Sequence, residues 1–306
     1  PSGRGTQIVD AETILVKIIR GDPVSYDDMI IKGNLDWPNR SGSKKIRVHS
    51  KIKIRNTRII GTINYTNIFF EEPVDFSGST FSSNSDFSGS QFNNNTNFSK
   101  TLFIEDALFG NTNFVTNVIF DDARFGGNAY FNKCIINNDA FFIRSLFQKD
   151  VNFNGSQFNK NAYFTGAEFQ ESTYFNNSRF NSSSDFSNVL FNGATYFTAA
   201  QFFDTVYFRD AIFNGPASFL GSKFDKNVIF IGAKFNDNVS LYLARNAVFS
   251  YKEQPSIQSN QEIMPSEDSK SWPASSLITN MIYVLIACIS IALGILISKR
   301  IINRGN

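Results

Sequence analysis

Large aromatic residues recur through the middle of this chain at intervals that alternate between five and six residues. The series runs from Phe76 to Leu241 without a slip, and 29 of its 31 positions are Phe, with Ile136 and Leu241 as the exceptions. The residue two before each position is always Ala, Ser, Thr, Val or Cys. A spacing of two places both residues on one side of an extended strand, and neither interval matches the helical period. The pattern predicts a rod of short strands, with Phe and a small residue facing inward together.

Turn-forming residues follow most of these Phe positions, as in FSGS, FNNN and FNGS. The segments NTNFS, SSDFS, DARFGG and GAEFQ resemble the pentapeptide-repeat superfamily, whose consensus sets a small residue and then Asp or Asn before a central Leu or Phe. The alternating spacing resembles the Phe-centred branch of that superfamily. The resemblance implies an all-β fold, a right-handed quadrilateral β-helix or β-solenoid with about 22 residues per coil. The same register extends back to Val48, so we expect the solenoid to span residues 48–250.

The first 47 residues are expected to close the open end of the solenoid, where strand edges and core rings would otherwise be exposed. Asp10 and Gly21 flank AETILVKIIR, which predicts a capping helix over residues 11–20 with Asp10 as N-cap and Gly21 as the stop. The residues predicted on its apolar face are Ala11, Ile14, Leu15, Ile18 and Ile19. Lead-in strands are expected between this helix and residue 47. A helix lying on a membrane surface is the alternative. This N-terminal pattern resembles that of exported archaeal members of the family.

The C-terminal region reads as a membrane anchor. Residues 251–276 are polar and contain Pro, which predicts a flexible linker, and residues 277–298 are apolar enough for one transmembrane helix. The tail 299–306 carries Lys299, Arg300 and Arg304 without an acid, so the positive-inside bias predicts a cytoplasmic C-terminus and an extracellular solenoid. That orientation requires an export signal preceding Pro1. A tail-anchored protein with its solenoid in the cytoplasm is the competing interpretation.

The residue before every second core position faces outward and is often aromatic. Because each coil holds about 22 residues, these residues divide into two columns on opposite faces. The candidate binding residues among them are Tyr130, Tyr163, Tyr174, Tyr196 and Tyr207. Such columns could hold a glycan or a protein partner, or they could stabilise the sheets by stacking.

Basic residues cluster before the first acid of the solenoid, Glu71. The candidate members are Lys44, Lys45, Arg47, Lys51, Lys53 and Arg55. Their alternation with aliphatic residues places most of these charges outside the first coils, where they could meet an anionic cell-wall polymer or lipid headgroup. A solvated face that resists edge-to-edge association is the alternative.

Catalytic chemistry finds little support in the sequence. His49 is the only histidine, Cys134 occupies a small inward slot, and no metal, nucleophile or phosphate motif is visible, so we predict neither an enzyme nor a cofactor. Some cytoplasmic members of the resembled family mimic DNA to engage gyrase, but residues 76–241 hold 14 acids against 11 bases, and no specific nucleic-acid partner is expected. A non-catalytic, membrane-anchored surface scaffold that binds a glycan, a cell-wall polymer or a protein remains, with oligomerisation left open. A tail-anchored interaction module and a polysaccharide-active β-helix enzyme are the alternatives.

Overall fold

The strands of this protein wind into a coiled ribbon around a phenylalanine core. The computed structural model describes residues 7–37, 46–240 and 248–250. Equivalent strands of successive coils pair in parallel, as where Thr80 faces Leu102 and Phe81 faces Phe103. This repeated pairing produces four parallel sheets, which we number 1 to 4 in the order in which each coil visits them. The predicted β-solenoid, with four sides and about 22 residues per coil, is confirmed.

Within each sheet, neighbouring strands come from successive coils, so the strands lie in the order in which the chain reaches them. Sheet 1 contains Ile8–Asp10, Ile30–Lys32, Arg58–Ile60, Thr80–Phe81, Leu102–Phe103, Arg124–Phe125, Leu146–Phe147, Glu168–Phe169, Leu190–Phe191, Ile212–Phe213 and Lys234–Phe235. Sheet 2 contains Leu35–Asp36, Ile63–Asn64, Ser85–Asp86, Ala107–Leu108, Ala129–Tyr130, Val151–Asn152, Thr173–Tyr174, Thr195–Tyr196, Ala217–Ser218 and Val239–Ser240. Sheet 3 contains Ile46–Val48, Ile68–Phe70, Gln91–Phe92, Asn113–Phe114, Ile135–Ile136, Gln157–Phe158, Arg179–Phe180, Gln201–Phe202 and Lys223–Phe224. Sheet 4 contains Val24–Asp27, Ile52–Arg55, Val74–Asp75, Thr96–Asn97, Val118–Ile119, Ala140–Phe141, Ala162–Tyr163, Ser184–Asp185, Val206–Tyr207, Asn227–Ile229 and Val248–Ser250.

Strand alternation sets the division between core and surface. Ala162 and Phe164 are fully buried, whereas Tyr163 between them is partly exposed. The Phe rings stack into columns along the solenoid, with centroids 5.0 Å apart between Phe120 and Phe142 and 4.9 Å apart between Phe142 and Phe164. Phe164 also meets Phe153 of the facing sheet edge to face, at 5.5 Å. Sheets 2 and 4 therefore pack ring against ring across the interior.

The two interval lengths correspond to two kinds of corner. In the five-residue intervals the chain makes a four-residue turn whose fourth amide donates to the carbonyl of the first residue, as from Ser79 N to Phe76 O at 3.1 Å. The third residue of this turn, Gly78, has φ of 68°, which is the signature of a type II turn. Between Phe76 and Phe235 the six-residue corners contain no residue with positive φ. Two left-handed corners therefore alternate with two open ones in each of these coils.

A helix closes the N-terminal end. Helix α1 spans Ala11–Arg20 and buries Ala11, Ile14 and Ile18 against the first coils, which confirms the predicted capping helix. Asp10 occupies the N-cap position, but its side chain makes no capping hydrogen bond, and Ile19 is 51% exposed, contrary to the predicted apolar face. Gly21 ends the helix with φ of 80°.

The predicted linker 251–276, the transmembrane helix 277–298 and the tail 299–306 lie outside the described residues. Within residues 7–37, 46–240 and 248–250, no helix has both the length and the apolar character needed to cross a membrane. The proposed anchor therefore stays a prediction.

Candidate functional site

The aromatic residues predicted to form two outward columns lie on two opposite sheets. Tyr130, Tyr174 and Tyr196 belong to sheet 2, where Asn152 separates the first from the other two. The rings of Tyr174 and Tyr196 are stacked, with centroids 5.3 Å apart and planes 10° from parallel. Each ring is partly exposed, so the pair offers a flat apolar surface to solvent while also stabilising its own sheet.

Sheet 4 carries the other column. Phe141 and Tyr163 stack at 5.1 Å, Asp185 follows, and Tyr207 comes next along the solenoid. The guanidinium of Arg209 lies 4.8 Å from the centre of the Tyr207 ring. The two columns face away from each other, because sheets 1 and 3 separate them on either side. One flat partner could therefore meet only one column at a time.

The described members of the basic cluster are spread over different faces, and two are neutralised. Arg47 lies on sheet 3, where it donates to Glu71 at 2.7 Å and stacks on Phe69 at 4.5 Å. The hydrogen bond from Arg47 and a second one from His49 hold the pKa of Glu71 below its ordinary value. These contacts reduce the positive field that the sequence suggests.

Of the remaining described basic residues, one forms an ion pair and two do not. Lys53 and Arg55 lie on sheet 4, and Arg55 pairs with Asp27, whose pKa this hydrogen bond lowers. Lys51 is exposed at the corner before that sheet. Lys44 and Lys45 lie outside the described residues. Among the described members of the cluster, Lys51 and Lys53 therefore take part in no ion pair, and these members form no built anion site.

A ladder of amide side chains that the sequence analysis missed runs along the edge of sheet 3. Asn137 Nδ2 donates to Asn113 Oδ1 at 2.9 Å, Asn159 donates to Asn137 at 2.8 Å, and Asn181 donates to Asn159 at 2.7 Å. Asn directly after the core position in three successive coils, at Asn137, Asn159 and Asn181, was the available signal. Asn137 and Asn159 each use one donor and one acceptor within the ladder, so the main effect of the ladder is to join successive coils.

Buried polar groups do not assemble into a reactive centre. Burial raises the pKa of the Cys134 thiol to about 12, and its Sγ lies 2.9 Å from Phe109 O, so it is inert. Burial also raises the pKa of Tyr65, whose hydroxyl has no partner among the residues that the structure describes. In the same part of the chain, no three His, Cys, Asp or Glu side chains are placed to hold a metal ion.

The acid pair Asp121 and Asp122 is occupied by structural contacts. Asp121 accepts the amide of Ile143 at 2.9 Å, and its partial burial raises its pKa. Asp122 binds Arg144 through two bonds of 2.8 and 2.9 Å, which lower its pKa. Both carboxylates bind the next coil of the solenoid.

A comparison with models of known protein families agrees with this architecture. A family model described as pentapeptide repeats (9 copies) matches residues 54–102, 87–135, 120–167, 153–201 and 197–245. No curated protein matches the chain. A solved structure of trypsin-treated QnrB1, described as a plasmid-mediated fluoroquinolone resistance protein, aligns over 74% of this chain and 91% of that chain, at 16% identity and a TM-score of 0.19. That low score carries no inference about this chain.

Proposed function

The chain belongs to the pentapeptide-repeat family, and from that premise we propose that it is a non-catalytic scaffold whose outward faces bind a partner at a cell surface. The right-handed β-helix of the family supplies a rigid core in which the inward positions are filled by rings and small side chains. Binding must then use the outward positions. Those positions repeat at the spacing of the coils, so a partner with a repeating or flat surface suits them.

The stacked outward pair Tyr174 and Tyr196 is the observation that carries this proposal. The two rings are nearly parallel, with centroids 5.3 Å apart, and both are partly exposed. They form a flat apolar platform on the outward face of sheet 2, away from the buried core. Aromatic platforms bind the apolar faces of sugars and of protein side chains. A glycan, a cell-wall polymer or a protein surface is therefore the proposed class of partner.

The proposal that the chain is not an enzyme has its own support. Glycoside hydrolysis generally needs two carboxyl groups that flank the glycosidic bond to be cleaved. The distance between these groups depends on whether the enzyme retains or inverts the configuration of the sugar. Asp121 and Asp122 are instead bound to Ile143 and Arg144, one coil along. A polysaccharide-active role would need to free both of them from contacts that hold the coils together.

Attachment to a membrane through residues 277–298, with the solenoid outside the cell, is the second part of the proposal. Protease treatment of intact cells tests it. Digestion of the solenoid in intact cells supports export, and protection that is lost only on lysis supports the tail-anchored, cytoplasm-facing alternative.

Binding is tested with the full chain on intact cell walls and on immobilised glycans. The double substitution Tyr174→Thr with Tyr196→Thr removes both rings while keeping strand-favouring side chains. The matched control, Gln157→Thr with Gln201→Thr, alters the equivalent outward positions on sheet 3. We expect the tyrosine variant to lose binding at least about tenfold and the control to keep it. Equal binding by both variants, together with a lower melting temperature of the tyrosine variant, would show that the rings only stabilise the sheet.

A further inference from the structure

The chain contains several Asn-x-Ser and Asn-x-Thr sequences, the signals for attachment of an N-linked glycan. They begin at eight residues: Asn39, Asn64, Asn94, Asn97, Asn154, Asn176, Asn181 and Asn238. Asn39 lies outside the described residues. The signal consists of the Asn amide and of the hydroxyl two residues later, so a transferase has to reach both groups. The fold of the solenoid decides which of the remaining sequences presents both.

In three of these sequences the hydroxyl lies inside the solenoid. The Ser or Thr of the signal is the small inward residue of a strand, and Thr96, Ser156 and Ser178 are each at most 1% exposed. These hydroxyls also donate to main-chain carbonyls, as from Thr96 Oγ1 to Asn94 O at 3.1 Å and from Ser178 Oγ to Phe175 O at 2.6 Å. The folded chain therefore withholds the hydroxyl from a transferase in the sequences that begin at Asn94, Asn154 and Asn176.

Two other sequences are restricted at the asparagine itself. Asn181 donates its Nδ2 to Asn159 Oδ1 at 2.7 Å within the ladder of sheet 3. Asn97 is only partly exposed, between Asp75 and Ile119 of the neighbouring coils. Neither asparagine offers a freely accessible amide.

Asn238 is less well placed than Asn64 for a different reason. Asn238 and Ser240 are both exposed at the end of the described solenoid, directly before residues 241–247. Within the described residues no hydrogen bond joins the side-chain amide of Asn238 to the hydroxyl of Ser240.

Asn64 presents both groups of the signal together. Its side chain is exposed, and its Oδ1 accepts the hydroxyl of Thr66 at 2.9 Å and the Thr66 amide at 3.3 Å. Thr66 is partly exposed, and the fully buried Tyr65 between them fixes the position of the segment. Nδ2 of Asn64 donates to no group in residues 7–37, 46–240 and 248–250. The hydroxyl and the free amide nitrogen thus lie side by side on the surface.

We propose that Asn64 of the folded solenoid is the attachment site of an N-linked oligosaccharide. In the transfer, a bond forms between Asn64 Nδ2 and the anomeric carbon of the first sugar, and the bond from this carbon to the phosphate oxygen of a lipid-linked oligosaccharide breaks. The lipid diphosphate leaves with the electron pair of that bond, and the amide nitrogen gives one proton to a base of the transferase. In cells the modification rests on the proposed export of the solenoid, whereas the reactivity of the folded chain does not.

The position of Asn64 leaves the proposed binding platform open. Asn64 and Tyr174 both lie on sheet 2, five coils apart, which is about 24 Å at the spacing of paired strands. The residues beside Asn64 in its column, Asp36 and Asp86, accept hydrogen bonds from Thr62 and Ser88. A glycan would therefore cover the N-terminal part of sheet 2 without covering Tyr174.

Transfer to the purified chain tests the proposal. The full chain is produced without glycans, kept folded in mild detergent, and incubated with a dolichyl diphosphate oligosaccharide and a single-subunit oligosaccharyltransferase that requires only the Asn-x-Ser or Asn-x-Thr signal. Peptide mass spectrometry then locates the glycan. We expect a glycan at Asn64 and at least about tenfold lower occupancy at Asn94, Asn154 and Asn176, because their hydroxyls become accessible only when a coil opens locally. A proteolytic digest of the same chain is the unfolded control, in which these three sites should accept the glycan.

Substitutions separate the hydroxyl from the exposure of Asn64. Thr66→Val should abolish the modification, and Thr66→Ser should keep it, because only the serine retains the hydroxyl. Asn154→Gln removes a signal whose hydroxyl is buried and should leave the modification at Asn64 unchanged. Melting curves establish that all variants remain folded. A folded chain that stays bare at Asn64 would overturn the proposal, and so would equal occupancy at Asn64 and at the three sites with buried hydroxyls.

The chain taken from its own cells separates this inference from the proposed function. Peptide mapping is combined with protease treatment of intact cells. A solenoid that is digested from outside and carries a glycan at Asn64 supports both proposals. A solenoid that is digested from outside but is bare at Asn64 overturns the modification and leaves export standing. Protection of the solenoid contradicts export and with it the modification in cells.

Discussion

The inward Phe rings stack face to face because the strand spacing leaves them no other geometry. Isolated aromatic pairs prefer offset or edge-to-face contacts. Parallel strands in register repeat at about 4.8 Å, so identical side chains on neighbouring strands must lie one above another. The edge-to-face contacts of Phe164 with Phe153 and Phe175, each at 5.5 Å, supply the preferred geometry across the core.

Removal of one central ring should therefore be costly. Phe164→Ala leaves a gap between two stacked neighbours that the backbone spacing prevents from closing, so we expect a loss of about 3–5 kcal/mol in the free energy of unfolding, measured by urea denaturation. Phe203→Ala is the control, because Phe203 lies outside the core with Arg179 and Lys223 beside its ring. A control loss as large as that of Phe164→Ala would contradict the packing argument.

The small residue two positions before each core residue is often Ser or Thr. Its buried hydroxyl makes a hydrogen bond at some corners and has no partner at others. Thr112 follows a left-handed corner, and its Oγ1 donates to Phe87 O at 3.0 Å. Thr195 follows an open corner, and its buried Oγ1 has no hydrogen-bond partner among the described residues. The hydroxyl of Thr112 thus reaches a carbonyl of the previous coil, whereas the hydroxyl of Thr195 reaches no carbonyl among the described residues.

Replacement of these two threonines by valine should have opposite effects. Thr195→Val removes an unsatisfied buried hydroxyl with nearly the same volume, so we expect stabilisation by about 1 kcal/mol. Thr112→Val leaves Phe87 O without that bond and should destabilise by a similar amount. Thermal unfolding of both variants measures this difference. Equal shifts in the same direction would show that the hydroxyl contacts do not decide the residue at this slot.

At the level of the structural element, the two kinds of corner explain why the intervals between core residues alternate between five and six. The left-handed position recurs at every second corner, and Gly or Asn fills many of its occurrences, such as Gly78 and Asn188. Lys133 and Ala199 occupy the same position with φ of 56° and 55°, although side chains with a Cβ are strained there. The chain keeps the corner even where the residue disfavours it, because the stacked coils above and below fix its geometry.

A glycine at such a strained corner should stabilise the solenoid. Lys133→Gly removes the left-handed strain, which outweighs the extra entropy of the unfolded chain, so we expect a gain of about 0.5–1 kcal/mol in chemical denaturation. Lys149→Gly is the matched control, because Lys149 is also an exposed corner lysine but its φ is not positive. The control should lose stability. A loss in both variants would mean that the corner is not strained.

Much of the core was predictable from the sequence, and much of the surface was not. The alternation of intervals and the small slot before each Phe place Ala162 and Phe164 inside without any structural information. The dispersal of the basic cluster could not be predicted, because the pairing of Arg47 with Glu71 and of Arg55 with Asp27 depends on which coil lies beside which.

At the scale of the whole molecule, each coil contacts only the coil before it and the coil after it. Stability in such a solenoid is approximately a sum over coils and their interfaces. Removal of one complete coil should therefore shorten the solenoid and leave the fold of the remaining coils unchanged. The pairing register gives the unit to remove, since Phe142 and Phe164 follow successive strands of sheet 4 and stack on each other.

Deletion of residues 143–164 joins Phe142 to Thr165 and keeps the order of left-handed and open corners. We expect a folded protein with one cooperative transition and a melting temperature only slightly lowered, and small-angle scattering should show a rod shorter by about 4.8 Å. The control is deletion of residues 143–158, which removes fewer residues but leaves two six-residue intervals in succession at Phe142. The second interval then has to form a corner that normally contains a left-handed turn, so the coils beyond it lose their register with those before it. The shorter deletion should be the more damaging one, and the reverse order would show that chain length, and not the corner sequence, determines whether the solenoid forms.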